Sequence, residues 1–285
     1  MIVCFEYAQS KILPGSIVDL YLAYKWCSSF CDRIHILTDI TNNNNILRAI
    51  DKYICEPVAV EFYENVPNKH IVNTGVSLMD TMRKVITEHN LDDRLIIYYS
   101  GHGVNNFMVI PDQQLLPFID FRKCITDSVS LQAEIFCILD CCNPQGMGLP
   151  YKLKDNTFRL CEENFTCCTN SMLVMTSSGV HEESYATTSG SIFTSSLLEY
   201  LTTLSSPFSI SVVDGQTVIP TTRNRNLHRL IKETTRSMRD IKKDHEEKIA
   251  IYSSYIVDPI LWMWIGSKSK YDVVPDISGS ALIIR

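Results

Sequence analysis

The sequence predicts an α/β fold built on a mostly parallel sheet. Three observations lead there. Apolar strand-like runs alternate with segments of helical periodicity through the first 140 residues. Strand, helix, strand in succession implies parallel strands joined by crossover helices in a layered architecture. Two of the strand-like runs end on side chains that carry chemistry, and the carboxyl ends of parallel strands are where such sheets bind ligands.

Each element has its own signal. Met1 to Tyr7 (MIVCFEY) reads as a strand. Gly15 to Ser29 places Ile17, Leu20, Tyr21, Tyr24 and Cys27 at helical spacing. Arg33 to Thr38 is a second strand, and Asn42 to Ile54 a helix preceded and capped by the asparagine run. Pro57 to Tyr63 is a third strand. Asn73 to Asn90 turns Val76, Met79, Met82, Val85 and Ile86 to one face of a helix. Leu95 to Tyr99 and Glu134 to Leu139 are strands, separated by a helix near Pro117 to Thr126. Asn143 to Asn170 is polar, carries Pro144, Gly146, Gly148 and Pro150, and reads as a long loop of the functional or mobile kind. Beyond it come a strand at Met172 to Thr176, a helix at Ser191 to Thr203 and a long charged helix at Thr222 to Lys248. A last strand falls within Ile249 to Ile265, broken or placed at an edge by Pro259.

The chain's 285 residues bury a full core without metals or disulfides and suit a single domain. A net charge of -6 provides no basic field for nucleic acid or an anionic membrane, so neither is expected as a partner. The 11 cysteines are odd in number, and Cys4, Cys27, Cys31 and Cys137 lie in apolar runs. That usage fits reduced, buried thiols and a cytoplasmic protein. No CxxC pair suggests zinc or a redox motif. The N-terminus has no basic stretch before its apolar residues, and Ile260 to Ile265 is too short to span a bilayer, so no signal peptide or membrane anchor is expected.

Candidate chemistry sits at two strand ends. One is Tyr99-Ser100-Gly101-His102-Gly103, and the other is Leu139-Asp140-Cys141-Cys142. If the two strands are neighbours, an imidazole and a thiol project from the same edge. A thiol is a nucleophile only as thiolate, and an imidazole can take its proton. The glycines around His102 let a substrate backbone approach, and a glycine N–H can help hold an oxyanion. The same residue types also occur as ordinary loop residues.

These two motifs, YYSGHG and LDCC, resemble those of the caspase-like cysteine proteases, and most closely the metacaspase branch, with Tyr-Ser-Gly-His-Gly followed by Asp-Ser-Cys. The resemblance implies the caspase-hemoglobinase fold, a six-stranded type of mostly parallel sheet with helices on both faces. It makes His102 the base and Cys142, not Cys141, the nucleophile of an endopeptidase. CFEYAQSKILPGSIVDLYLAYKW is similar to the first strand and helix of that branch, where a Gly-x-x-x-Asp pattern, here Gly15 and Asp19, supplies a carboxylate to the S1 pocket. TSSGVHEESYA and GSIFTSSLLEYL resemble the segment after the fifth strand and the helix that follows. The likeness covers residues 1 to about 205 well and the remainder weakly. It implies a single peptidase domain over 1–285, with a large-subunit-like part at 1–142, a processing loop at 143–170 and a small-subunit-like part at 171–285. By the same resemblance Ser100, and Ser16 more weakly, complete the pocket. Cys141 becomes a small filler beside the nucleophile.

Charge adds a specificity. Asp19 and Asp140, if both face the pocket beside Cys142, make a buried negative site that calls for a cation, hence Arg or Lys at P1. Taken singly, Asp19 reads as a solvated residue in the first turn of a helix and Asp140 as a turn cap. Glu182 and Glu183 read as a solvated pair. No arginine occupies Ser184-Tyr185-Ala186, where an aspartate-specific pocket would need one. The backbone amides of Gly103 and Cys142 are the expected oxyanion hole. Lys152, Lys154 and Arg159 place basic residues in the 143–170 segment and make it a candidate for self-cleavage of a zymogen. No cofactor is expected to be required. Asp112, Asp120, Asp127 and Glu134 are too scattered to name a calcium site, since Ca²⁺ takes six or more oxygens. Substrates are expected to be proteins or peptides with a basic P1, and the enzyme a monomer rather than a dimer. Asn143-Pro144-Gln145-Gly146 departs from the His-Ser-Gly usual after the nucleophile. That departure keeps open an inactive scaffold acting as adaptor or decoy, beside an enzyme cutting after Asp.

Overall fold

The computed structural model describes residues 1–7, 11–41, 68–89, 94–155, 157–161, 165–166, 168–179, 182–205, 211–213, 216–218, 227–241, 249–255, 274–275 and 281–282. In chain order the elements are β1 (Ile2–Cys4), α1 (Ser16–Ser28), β2 (Ile36–Thr38), β3 (Lys69–Ile71), α2 (Gly75–Glu88) and β4 (Arg94–Ser100). A small ribbon follows, β5 (Gly103–Val104), β6 (Phe107–Val109) and β7 (Leu115–Pro117), then α3 (Phe118–Thr126) and β8 (Glu134–Asp140). Next come β9 (Tyr151–Lys154), β10 (Thr157–Leu160), β11 (Ser171–Thr176), β12 (Ala186–Thr187), β13 (Gly190–Ser191) and α4 (Ile192–Ser205). The β14 (Ser211–Val213) and β15 (Gln216–Val218) pair precedes α5 (Leu227–Ile241) and β16 (Ala250–Ser253).

Nine of these strands form one sheet in the order β10-β9-β16-β11-β8-β4-β1-β2-β3. The run from β11 to β3 is parallel throughout, six strands in a mostly parallel sheet that is larger than the six strands expected in all. The other three, β16, β9 and β10, continue the sheet antiparallel. The chain places β2 and β3 on one side of β1, then crosses to lay β4 on the other. The boundary between β1 and β4 is therefore a topological switch point, where parallel sheets open a crevice at their carboxyl ends.

Both faces are covered. On one, Ile17, Leu20 and Trp26 of α1 pack with Phe193 and Leu197 of α4 and Leu230 of α5 against Ile2, Tyr98 and Ile138 of the sheet. On the other, Leu78, Met82 and Ile86 of α2 and Phe118, Phe121 and Ile125 of α3 pack on Val3, Ile97, Tyr99 and Leu139. Alternation along β4 sends Tyr98 to the first face and Tyr99 to the second. The start of α2 is fixed by a reciprocal cap in which Ser77 N–H donates to the Thr74 hydroxyl and Thr74 N–H to the Ser77 hydroxyl.

The long-loop expectation for 143–170 is corrected. Within it, β9 and β10 form a tight hairpin whose β9 pairs with β16. Tyr151 and Leu153 pack against the first core while Lys152 lies 5.1 Å above the Tyr252 ring. At the end of β9, Asp155 takes a left-handed φ of 48°, the backbone conformation that tight hairpin connections use. The expected helix at 42–54 and strand at 57–63 lie outside the described residues. The strand Lys69–Ile71 and the β5–β7 ribbon were not foreseen.

Candidate active site

The site is assembled from one row of the sheet. Ser100 on β4 is in register with Cys4 on β1 and with Asp140 on β8. Beyond that row the chains turn out of the sheet, still tied together: Gly101 N–H donates to the Asp140 carbonyl at 3.2 Å. The His102 and Cys142 turns then touch. A Cβ on Gly103 would lie 2.3 Å from the Cys142 carbonyl oxygen and 3.1 Å from Cys141 Sγ, so only glycine allows this approach. Asn106 N–H donates to the Asn143 carbonyl at 3.0 Å and holds the two turns together one step further on.

His102 is half-buried, and its Nε2 lies 2.8 Å from the Lys11 carbonyl oxygen. A carbonyl only accepts, so Nε2 carries the proton in the neutral ring and Nδ1 is the basic nitrogen. The Cys142 sulfur meets Ser184 twice, accepting from its N–H at 3.3 Å and facing its carbonyl at 3.8 Å. Cys141 points the other way into the core, 2% exposed. Burial first, then the nearby Asp140 and Cys142, push its thiol far above the usual range. After Cys142, Gln145, Gly146, Met147 and Gly148 adopt φ of 39°, 58°, 59° and 69°, a left-handed turn. The buried Arg122 of α3 holds this turn by donating to the Gly148 carbonyl at 3.0 Å and to the Thr166 carbonyl at 3.3 Å.

Asp19 and Asp140 are both buried, 1% and 4% exposed. The solvated reading of Asp19 is therefore corrected: the first turn of α1 packs under the strand ends instead of facing water. One Asp19 oxygen accepts from Ser100 Oγ at 2.9 Å and the other from Ser191 N–H at 2.8 Å. Asp140 accepts from Ser184 Oγ at 2.9 Å and from the Thr194 hydroxyl. Burial, and then the charge of Asp140, hold the Asp19 carboxyl well above the usual carboxylate range. Burial also raises Asp140, although hydroxyls of Ser191, Thr194, Ser184 and Ser177 act in the opposite sense. Among the described residues, no lysine or arginine forms an ion pair with either acid.

Other expected residues fall elsewhere. Ser16 is buried, but its hydroxyl is engaged locally with the Leu13 carbonyl at 2.7 Å. Glu182 accepts from Gly179 N–H at 2.9 Å and Glu183 is exposed. Lys152 and Lys154 lie in β9 and Arg159 in β10. Among the described residues no group of three or more His, Cys, Asp or Glu side chains is gathered to hold a metal, and no helix is long and apolar enough to cross a membrane. Ser184, which touches both Cys142 and Asp140, was not foreseen. Neither was the Lys11 carbonyl, since a main-chain group leaves no trace in residue type.

A family model for the caspase domain matches residues 1–255. Among solved structures, caspase-1 from Spodoptera frugiperda is similar at 14% identity and a TM-score of 0.52, covering 94% of this chain and 89% of that one. Protein GSU0716 from Geobacter sulfurreducens is similar at 10% identity and a TM-score of 0.53, covering 89% of this chain and 92% of that one. No curated protein matches the sequence significantly. With the family match spanning all nine strands of the sheet and the structural likeness agreeing on the fold, the chain belongs to the caspase-domain family and is a cysteine-type peptidase.

Proposed function

We propose that this peptidase is a metacaspase-like endopeptidase that cleaves protein substrates after Arg or Lys, with Cys142 as nucleophile and His102 as base. The observation that carries the specificity is the Asp19–Asp140 pair, two buried carboxylates that feel each other's charge, of which Asp140 meets Cys142 through Ser184. Buried like charges are costly to ionise without a cation, and a P1 guanidinium or ammonium supplies one. The Ser100 hydroxyl orients Asp19 in this pocket. Ser16 supports the pocket only through its backbone, since its carbonyl faces Cys4 Sγ at 2.9 Å.

The chemistry follows from the tautomer. His102 Nδ1 takes the Cys142 proton, and the thiolate attacks the scissile carbonyl carbon. The oxyanion is held by the Gly103 and Cys142 amides. The imidazolium returns its proton to the leaving amine, and a thioester remains. Water, deprotonated by the same nitrogen, then releases the acid and restores the thiol.

Self-processing is proposed at the hairpin rather than in an open loop. Lys154 is exposed beside the turn and Arg159 is exposed on β10, whereas Lys152 is half-buried over Tyr252. Cleavage after Lys154 is the expected first event. The hairpin covers β16 and leaves the short β10, with the exposed Arg159, as the sheet edge, which favours a monomer. Cytoplasmic location and independence of cofactors remain parts of this proposal.

The test is a fluorogenic peptide panel varying P1, run with and without calcium, beside incubation of wild type and Cys142→Ala followed by mass spectrometry. Cleavage confined to Arg and Lys, and a fragment ending at Lys154 in wild type alone, are expected. Preference for Asp would overturn the specificity. Absence of cleavage together with no labelling by a thiol-reactive probe would favour the adaptor or decoy.

A further inference from the structure

The peptide unit of His102 is held by two tyrosine hydroxyls. His102 N–H donates to Tyr7 Oη at 2.8 Å, and Tyr7 Oη donates to the Val109 carbonyl at 2.8 Å. Tyr99 Oη donates to the His102 carbonyl at 2.8 Å and lies 3.2 Å from Tyr7 Oη. The Tyr7 ring also packs against the imidazole, with centroids 4.7 Å apart. Both tyrosines are fully buried. A Cβ on Gly101 would meet their hydroxyls at 2.5 and 2.6 Å, so Gly101 is the price of bringing the two phenols under the turn.

Tyr7 is itself fixed in an unusual conformation. Its φ is 59°, disfavoured for an aromatic residue. The Asp39 carboxylate after β2 holds it there, accepting Glu6 N–H and Tyr7 N–H at 2.8 Å each. One acid thus shapes the end of β1, which aims the phenol, which seats the histidine backbone.

We propose that Tyr7 and Tyr99, with Asp39 behind Tyr7, are positioning residues that set the reach of the His102 imidazole toward Cys142. This rests on the reading of His102 as the base of Cys142. Neither tyrosine touches substrate. Burial raises both phenols well above their ordinary range, so the hydroxyls stay protonated at any working pH and act through geometry. Without Tyr7 Oη the His102 N–H loses its acceptor, and the turn must shift to find another. Small displacements of a reacting group carry large rate effects.

The experiment uses Tyr7→Phe and Tyr99→Phe, which keep the rings, and Asp39→Asn, which keeps one acceptor. Each is compared with wild type and His102→Ala in kcat and KM for a P1-Arg peptide. Each is also compared in the pH profile of iodoacetamide alkylation at Cys142, followed on its own peptide by mass spectrometry. Tyr7→Phe should lower kcat about tenfold with KM little changed. It should move the alkylation midpoint upward by about half a pH unit, toward His102→Ala. Tyr99→Phe should act in the same direction, and it carries the test if Tyr7→Phe melts below the assay temperature. If His102→Ala shifts the alkylation profile while every folded tyrosine variant keeps the wild-type kcat and profile, the positioning role is overturned and the dyad stands. If His102→Ala leaves the profile unmoved, both are overturned.

Discussion

Asp19→Asn is expected to raise the thermal stability of the protein while removing its cleavage after arginine. Asparagine still accepts the Ser191 N–H, and the Ser100 hydroxyl can rotate to accept from the new amide, so the local bonds survive. What disappears is a buried charge beside another buried charge. The sign with pH follows from the direction of the shift. A carboxyl whose folded pKa is raised favours the folded state below its unfolded value and loses that contribution as pH rises through the folded value. The wild type therefore carries a cost that grows as pH rises, and the variant should melt higher at alkaline pH, by roughly 1–2 kcal/mol or several degrees. The difference should shrink toward pH 4. Activity moves the other way. Removing one partner from a desolvated charge pair costs about 2–5 kcal/mol, so kcat/KM for P1-Arg peptides should fall on the order of 10²- to 10³-fold. Scanning calorimetry at several pH values and peptide kinetics on one preparation check both halves. A variant that is destabilised at pH 8, or that still cuts after arginine at the wild-type rate, contradicts the pocket.

The second large effect separates two adjacent cysteines. Cys142→Ala should abolish cleavage, a loss on the order of 10³-fold or more. Cys141→Ala should leave kcat within a few-fold. The reason is placement: strand alternation sends Asp140 to the α1 face and Cys141 into the opposite core, packed with Tyr7 and Tyr99. Cys142 lies half-buried beside Ser184. Burial keeps the Cys141 thiol protonated and unreactive. A cavity from Cys141→Ala lowers stability by about 1 kcal/mol, which calorimetry detects. Equal inactivation by the two substitutions at equal stability would contradict the assignment.

Much of this was legible in residue order. The parallel core showed in apolar runs of the right length, because strands buried on both faces need no polar alternation. The strand ends showed because Gly-His-Gly and Asp-Cys-Cys interrupt those runs abruptly. The hairpin at 151–160 was legible too, in Tyr151-Lys152-Leu153-Lys154 and Thr157-Phe158-Arg159-Leu160 around Asp155-Asn156, but prolines and glycines upstream masked its alternation. The burial of Asp19 was not legible from charge alone, since a first-turn carboxylate is as common on the surface. Ser184, the Lys11 carbonyl and the Tyr7–Asp39 link stayed hidden for one reason. Each acts across a long sequence separation, through backbone groups or hydroxyls that any loop contains.

The central claim is that a sulfur at one strand end and two carboxylates beneath it bind a single basic residue. A crystal structure of the wild type treated with an arginyl chloromethylketone peptide tests it most directly. The expected result is a covalent bond from the ligand to Cys142 Sγ and the guanidinium within about 4 Å of both Asp19 and Asp140. Attachment at another cysteine, or a guanidinium left in solvent while an aspartyl ligand orders in its place, would contradict it.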